Sequence, residues 1–316
     1  METTDLTVII LTRGQPQVLS MCLNHLELQT YPAARLEVIV VAFPGATGTA
    51  AMLERFCSGG PVRMRCVHAP QENVAAARNL AAMQAQGQWL LFLDETLLAG
   101  SHLVEHHIKC QQQNGNNTAA VGRISYHPQL GARIASKALR VAQQAFQPGQ
   151  PLSFLDWRAQ NLSLPRDAVL EAGGFNEDLP FEGLEDLELG YRLERNTGIR
   201  GRYCDQAQAF VWKPESLDRE VERSYTEGYW LHHLFETTES AQLRERYRGI
   251  VSAWRGAMDP IMLPLAHRLC PTLAYNSRAF NALRFRALRS AFRRGYRDAN
   301  RGRPAILPAR HVPDGS

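Results

Sequence analysis

The chain has 316 residues, 45% hydrophobic and 21% charged, which excludes a disordered or low-complexity protein and fits a globular one with a substantial core, in two domains or one large α/β domain with an appendage. The net charge of +4 hides an asymmetry: residues 244–316 carry 15 arginines and no lysine against 4 acids, a net of +11, while residues 1–243 carry −7. A basic tail on an acidic body suggests a surface for anionic membrane or nucleic acid, but no run reaches the ~18 apolar residues of a spanning helix.

In chain order, the acidic start Met1-Glu2-Thr3-Thr4-Asp5 does not read as a secretion signal. Leu6–Thr12 is a β-branched strand ending in Arg13-Gly14, and residues 16–29 follow a helical period with Val18, Leu19, Cys22, Leu23 and Leu26 on one face. Leu36–Val41 is a second buried strand closed by Phe43-Pro44-Gly45, residues 47–57 are helical, and Val62–Val67 alternates as a third strand. An alanine-rich helix over 73–86 precedes a fourth strand, Trp89–Asp94, which ends on an acid. Strand and helix alternating four times predict a doubly wound, mostly parallel sheet of Rossmann type. Ligands of such sheets bind beyond the strands' carboxyl ends, here Thr12-Arg13, Ala42-Phe43 and Asp94-Glu95-Thr96. A helix over 101–113 follows, then a strand near 119–125, a helix near 131–146, a short strand at 207–212 and helices after about 216. The six cysteines form no CxxC pair and are expected as free buried thiols in a reducing cytosol, not as a zinc site or disulfide framework.

The most informative stretch is Gly173-Gly174-Phe175-Asn176-Glu177, a paired-glycine turn leading to a helix that begins with Glu185-Asp186. A helix N-terminus favours negative charge, and an ionised carboxylate at the edge of a cleft can serve as a general base. An ordinary acidic first turn is the plainer alternative from these residues alone.

The order of features over residues 5–235 resembles the family 2 glycosyltransferases with their GT-A fold. The resemblance is carried by Thr7–Arg13, by Leu26-Glu27-Leu28-Gln29-Thr30-Tyr31-Pro32 followed by Leu36–Val41, by Asn73–Asn79 with its Ala77-Arg78-Asn79, by Leu91-Phe92-Leu93-Asp94, and by Asn161–Arg166 ahead of Gly173–Glu177 and Glu185-Asp186. It implies a GT-A domain over 1–235, a helical arginine-rich extension over 236–316, and transfer of a sugar from a nucleotide-sugar to an acceptor hydroxyl with inversion. On that resemblance Asp186 is the base and Glu185 its neighbour. Thr12, Arg13, Phe43, Arg78, Asp94, Thr96 and Lys213 fall on the donor side, and Trp157, Asn161, Tyr229 and Trp230 on the acceptor side.

The chain departs from the family pattern where nucleotide and metal bind. Ala42-Phe43-Pro44-Gly45 stands in place of Asp-Asp-Gly-Ser, and Asp94-Glu95-Thr96 in place of Asp-x-Asp. Trp212 is followed by Lys213 where a metal-binding histidine is usual. Asp94 alone makes a poor manganese or magnesium site, since hard cations want several oxygen ligands. No cofactor is therefore expected, with Lys213, Arg78 or Arg13 supplying positive charge to the diphosphate. A catalytically inactive binding or scaffold protein on the same fold is the competing reading.

His102, His106 and His107 share one helix, the first two spaced i, i+4 without the order of an HExxH site, and all three read as surface or partly buried residues. Residues 277–303 place Arg286, Arg289, Arg293 and Arg297 on one arc, with Phe280, Leu283, Ala287, Leu288 and Ala291 mostly elsewhere. That pattern predicts an interfacial element, its apolar side in lipid and its arginines on phosphates. The implied setting is cytoplasmic, peripheral on the inner face of a membrane, with a polysaccharide or lipid-linked glycan as acceptor. No nucleic-acid partner is expected, because no single-strand platform is visible.

Overall fold

The computed structural model describes residues 3–115, 117–127, 146–179, 183–212, 216–251, 259–270 and 277–306. Three largely apolar segments and one alternating segment form β1 (Leu6–Thr12), β2 (Leu36–Ala42), β4 (Trp89–Leu93) and β3 (Arg63–His68) respectively, mutually parallel in the order β3-β2-β1-β4. Every residue of β2 and β4 is buried, as strands covered on both faces require. The connecting helices are α1 (Pro16–Glu27), α2 (Ala50–Gly59) and α3 (Val74–Gln84). Pro16 opens α1, where its missing N–H leaves no helical bond unmade. Asn73 caps α3 by accepting from Ala76 N at 3.0 Å.

The second half of the sheet is mixed. In chain order it contains β5 (Leu97–Ala99), α4 (Leu103–Gln113), β6 (Thr118–Tyr126), β7 (Pro151–Leu152), β8 (Asn161–Pro165), α5 (Arg166–Glu171), α6 (Glu185–Asn196) and β9 (Arg200–Val211). β8 runs antiparallel to β4 with Asn161 opposite Leu93, and β9 pairs with β6 in parallel. The sheet joins nine described strands. β9 begins seven residues before the expected 207, because Arg200-Gly201-Arg202 gives its start a polar pattern. The helix expected near 131–146 lies outside the described residues, apart from Phe146 at its end.

One expectation about cysteine is corrected. Cys110 on α4 and Cys204 on β9 form a disulfide, their Cα atoms 6.6 Å apart across 94 residues of sequence. Only the packing of α4 on β9 brings them together, so spacing along the chain gave no sign of the pair. Cys22, Cys57, Cys66 and Cys270 are free, and Cys57 is exposed rather than buried.

By internal contacts the chain divides into two compact units. The first holds the sheet and its helices up to residue 214, and the second holds 215–316 with the short pieces 131–138 and 181–184. The helix α7 (Leu217–Thr237) thus groups with α8 (Ala241–Val251), α9 (Asp259–Leu269) and α10 (Arg278–Asn300), not with the residues before it.

Within the second unit α7 and α10 cross at two glycines. A Cβ on Gly228 would sit 1.9 Å from the Phe292 carbonyl oxygen, and one on Gly295 would sit 1.9 Å from that of Tyr225. Only glycine permits backbones this close. Tyr225 donates to Asp298 Oδ2 at 3.2 Å, and Arg284 forks onto both oxygens of Glu220. The apolar face of α10 is buried in this unit: Phe280, Leu283 and Ala287 pack with Ala266 and Cys270, and Ala291 packs with Val221 and Tyr225. The expected insertion of that face into lipid is therefore corrected, since the unit's own core covers it. Arg286 and Phe285 remain exposed on α10. Among the described residues no helix is long and apolar enough to cross a membrane.

Candidate active site

Two motifs that are separate in sequence meet in the first unit. Gly173 and Gly174 both take positive φ, +79° and +73°, the left-handed region that glycine enters without strain. The turn they make is held by Asn79 of α3, which accepts from Phe175 N at 2.7 Å and donates to the Phe175 carbonyl at 2.9 Å and to Glu177 Oε1 at 2.8 Å. From the other side Arg192 of α6 donates to the carbonyls of Ala172 and Gly174 while forking onto Glu188. The turn is thus fixed to α3 and to the helix whose first residues are Glu185 and Asp186.

Those two carboxylates have different surroundings. Glu185 is buried and paired with Arg78 Nη1, and the Arg78 guanidinium lies 5.2 Å over the Phe175 ring. Arg78 is itself buried, so the expectation that it binds donor phosphate is corrected: its charge neutralises Glu185. Asp186 accepts from Ala159 N at 3.2 Å through Oδ2 and from Leu187 N at 2.8 Å through Oδ1. Burial raises the Asp186 pKa, Arg158 opposes that shift, Glu185 adds to it and Arg78 opposes it. A raised pKa strengthens a carboxylate as a proton acceptor, the property a general base uses.

The donor-side residues gather at the carboxyl ends of β1, β2 and β4. Thr12 Oγ1 donates to Glu95 Oε2 at 2.6 Å and accepts from Gly14 N at 3.2 Å. Phe43 is buried under the Arg13 guanidinium, which lies 5.1 Å over its ring and also reaches Glu72 at 3.1 Å. Asp94 Oδ1 accepts from both the backbone and the hydroxyl of Thr96, at 2.8 and 2.6 Å. The Asp94 N–H reaches the Gln160 carbonyl at 3.1 Å, one residue from the Ala159 N–H that holds Asp186. Two adjacent residues therefore join the end of β4 to the start of α6.

Glu95 was missed by sequence reasoning. Burial pushes its pKa up to about 7, the Thr12 hydrogen bond works against that, and the Asp94 charge adds to it. Its signal was in plain view as the middle residue of Asp94-Glu95-Thr96, read past because the outer positions carry the family comparison.

A divalent ion finds a poor donor set here. One oxygen of Asp94 already accepts two hydrogen bonds, Glu95 is bound to Thr12, and Thr96 offers a neutral hydroxyl that is itself donating. Among the described residues no third acid or imidazole converges on them, whereas hard cations take six or more oxygens. Lys213 lies outside the described residues.

The acceptor-side expectations change as well. Trp157 is fully buried, so no ring face is free to stack on a sugar; its indole packs against Gly190 and Gly201. Asn161 is buried and occupied, donating to the carbonyls of Arg123 and Ala207 and accepting from His107 Nε2. The expectation that His107 lies at or near the surface is corrected: it is fully buried, pushed down to about 4 by that burial, a neutral core residue bonded also to Ser163. In the second unit Tyr229 is half-buried and donates to the Arg303 carbonyl at 3.0 Å, and its ring meets that of Trp230 edge-on at 5.5 Å.

A parallel half-sheet whose fourth strand ends on an acid, continued by a mixed half that leads into an acid-headed helix, is the GT-A architecture of glycosyltransferases. Mannosyltransferase PcManGT from Pyrobaculum calidifontis, in complex with GDP-Man and Mn2+, superposes with a TM-score of 0.62 at 15% identity, over 93% of this chain and 88% of that one. S. aureus TarS 1-349 in complex with UDP-GlcNAc gives 0.53 at 13%, over 95% and 93%. At such identities the likeness establishes the fold. Residues 7–156 match the model of Glycosyl transferase family 2. Validoxylamine A glucosyltransferase of Streptomyces hygroscopicus subsp. jinggangensis is 30% identical over 218 residues, 60% of this chain and 51% of the relative. The uncharacterized glycosyltransferase YfnE of Bacillus subtilis is 26% identical over 208 residues, 50% of this chain and 53% of its own. The chain spans about half the length of the curated relatives it matches.

Proposed function

We propose that this protein transfers a sugar from a nucleoside diphosphate sugar to an acceptor hydroxyl with inversion, and does so without a divalent ion. The observation that carries the proposal is the division of labour between the two carboxylates: Glu185 is neutralised by Arg78, and Asp186 is left buried with a raised pKa. In the proposed step Asp186 takes the proton of the acceptor hydroxyl as its oxygen attacks the anomeric carbon. The bond to the diphosphate breaks on the opposite face, and the departing charge meets Arg13 and Lys213 in place of an ion. The neighbours' bound GDP-Man and UDP-GlcNAc support a nucleotide-sugar donor. Ala42 and Phe43 stand where the family pattern puts acids, so the nucleobase would be held there without carboxylate partners. An acceptor of glycan or lipid-linked type, on the inner face of a membrane, fits the exposed arginines of α10.

Titration of UDP- and GDP-linked sugars in the presence of EDTA tests the reading. Saturable binding and turnover, both unchanged by the chelator, are expected. Binding that appears only after Mn2+ or Mg2+ is restored refutes metal independence. If no donor binds at millimolar concentration, with or without an ion, the enzyme reading fails and the scaffold reading takes its place. The buried Phe43 under Arg13 is what favours that second outcome.

A further inference from the structure

The second unit carries a cluster that the transfer chemistry does not use. His232, His233 and Glu236 lie near the carboxyl end of α7, and one ligand atom from each falls within 4.8 Å of the others. Nδ1 of His232 and Nδ1 of His233 are each 3.8 Å from Glu236 Oε2. Positions i, i+3 and i+4 of a helix share one face, so consecutive histidines can both reach an acid one turn on. Four-coordinate zinc at ~2.0–2.1 Å sets its ligand atoms about 3.4 Å apart, and the two imidazole–carboxylate distances of 3.8 Å need to close by only a few tenths of an ångström.

A second observation concerns the tautomer. His232 Nε2 lies 3.2 Å from Asn300 Oδ1, an oxygen that can only accept, so Nε2 carries the proton. Nδ1 is then a bare lone pair. It is buried and has no hydrogen-bond partner, and it faces the Glu236 carboxylate, another acceptor, at a distance too long for a hydrogen bond. A histidine that donates through one nitrogen to a fixed oxygen and presents the other to a carboxylate and a second imidazole is the arrangement metal-ligating histidines adopt. The Tyr296 ring, 5.6 Å from that of His232, backs it further. Glu236 is 62% exposed and His233 41%, which leaves an entry path for an ion.

We infer that His232, His233 and Glu236 form a three-ligand site for a borderline first-row divalent ion of the zinc type, oriented by Asn300. Two imidazoles and one carboxylate suit that class better than calcium or magnesium. The fourth position stays open to water or to an oxygen anion.

The test uses the full chain, stripped of metal, with Zn2+ as probe in calorimetry and Co2+ as a spectroscopic substitute. One equivalent of Zn2+ should bind at micromolar or tighter affinity, and Co2+ should give visible bands of tetrahedral intensity. His233→Ala and Glu236→Ala, at exposed positions that leave the fold intact by circular dichroism, should each weaken binding at least tenfold. Asn300→Ala should weaken it about 10-fold or more while leaving the stoichiometry at one. The inference is overturned if no stoichiometric binding occurs, or if binding is unchanged in the His233→Ala, Glu236→Ala double variant. It is equally overturned if the bound equivalent is lost in His106→Ala instead.

Discussion

At the scale of single residues, the candidate site rests on how four ionisable groups, Asp186, Glu185, Arg78 and Glu95, are wholly or partly buried. Asp186→Asn keeps shape and one acceptor oxygen but cannot take a proton. The expected result is a 10²–10⁴-fold loss of turnover with donor affinity within twofold of the parent, checked by single-turnover kinetics beside donor titration. Arg78→Met tests the neighbouring pair. Both partners are nearly inaccessible, with side chains 10% and 4% exposed, and removing one leaves a buried charge uncompensated, at a cost of about 3–5 kcal/mol. Urea unfolding should register that loss, while the Arg78→Met, Glu185→Leu double variant should recover part of it. Glu95 makes a prediction about pH. Its folded pKa is about 7 against an ordinary 4.5, so between those values the folded form holds a proton that the unfolded chain has released. Stability from this group is therefore greatest at low pH and falls as pH rises from about 4.5 to 7, by at most about 3 kcal/mol. Glu95→Gln should flatten that slope in urea midpoints measured from pH 4.5 to 8; an unchanged slope counts against the burial argument.

At the scale of elements, the crossing of α7 and α10 is the sharpest test. Gly228→Ala and Gly295→Ala each place a methyl where a backbone oxygen already sits, 1.9 Å away. Each should cost on the order of 2–4 kcal/mol, seen as a lowered Tm and faster proteolysis of residues 216–306. Gly249 of α8 has nothing within 4 Å, and Gly249→Ala should instead stabilise by about 0.5–1 kcal/mol. What the sequence allowed to be read follows from the same physics. Strands β1, β2 and β4 are dominated by apolar residues because both faces are covered, with only Thr7, Thr12 and Glu37 interrupting, so they were legible residue by residue. β5 was missed because three residues are too few to show a period, β8 because Asn161, Ser163 and Pro165 leave only two apolar residues in its five, and the polar opening of β9 hid its first seven. The position of Glu185-Asp186 could be read from the paired glycines and the family pattern. The roles of Arg78, Trp157 and Asn161 could not, because what decides them is a partner on another strand or helix: Glu185, Gly201 and His107 respectively.

At the scale of the whole molecule, the disulfide is the feature with the widest reach. It closes a loop of 94 residues between α4 and β9, and a cross-link of that span constrains the unfolded chain by roughly 4–5 kcal/mol. A reductant should lower the Tm of the native protein and leave the Cys110→Ala, Cys204→Ala variant unaffected; non-reducing peptide mapping should recover the linked pair. The charge pattern acts on the same scale. With the apolar face of α10 covered, any hold on an anionic surface rests on exposed arginines alone, and pelleting with phosphatidylserine vesicles should then vanish by about 0.5 M salt, where charges a few ångströms apart are screened.

The short link from Asp94 through Gln160 and Ala159 to Asp186 has one more implication for the proposed chemistry. A donor settling at the end of β4 pulls on the same stretch of backbone that sets how strongly the base clings to its proton. The acidity that governs turnover then belongs to the loaded complex, and the pH–rate curve should move when one sugar nucleotide is exchanged for another.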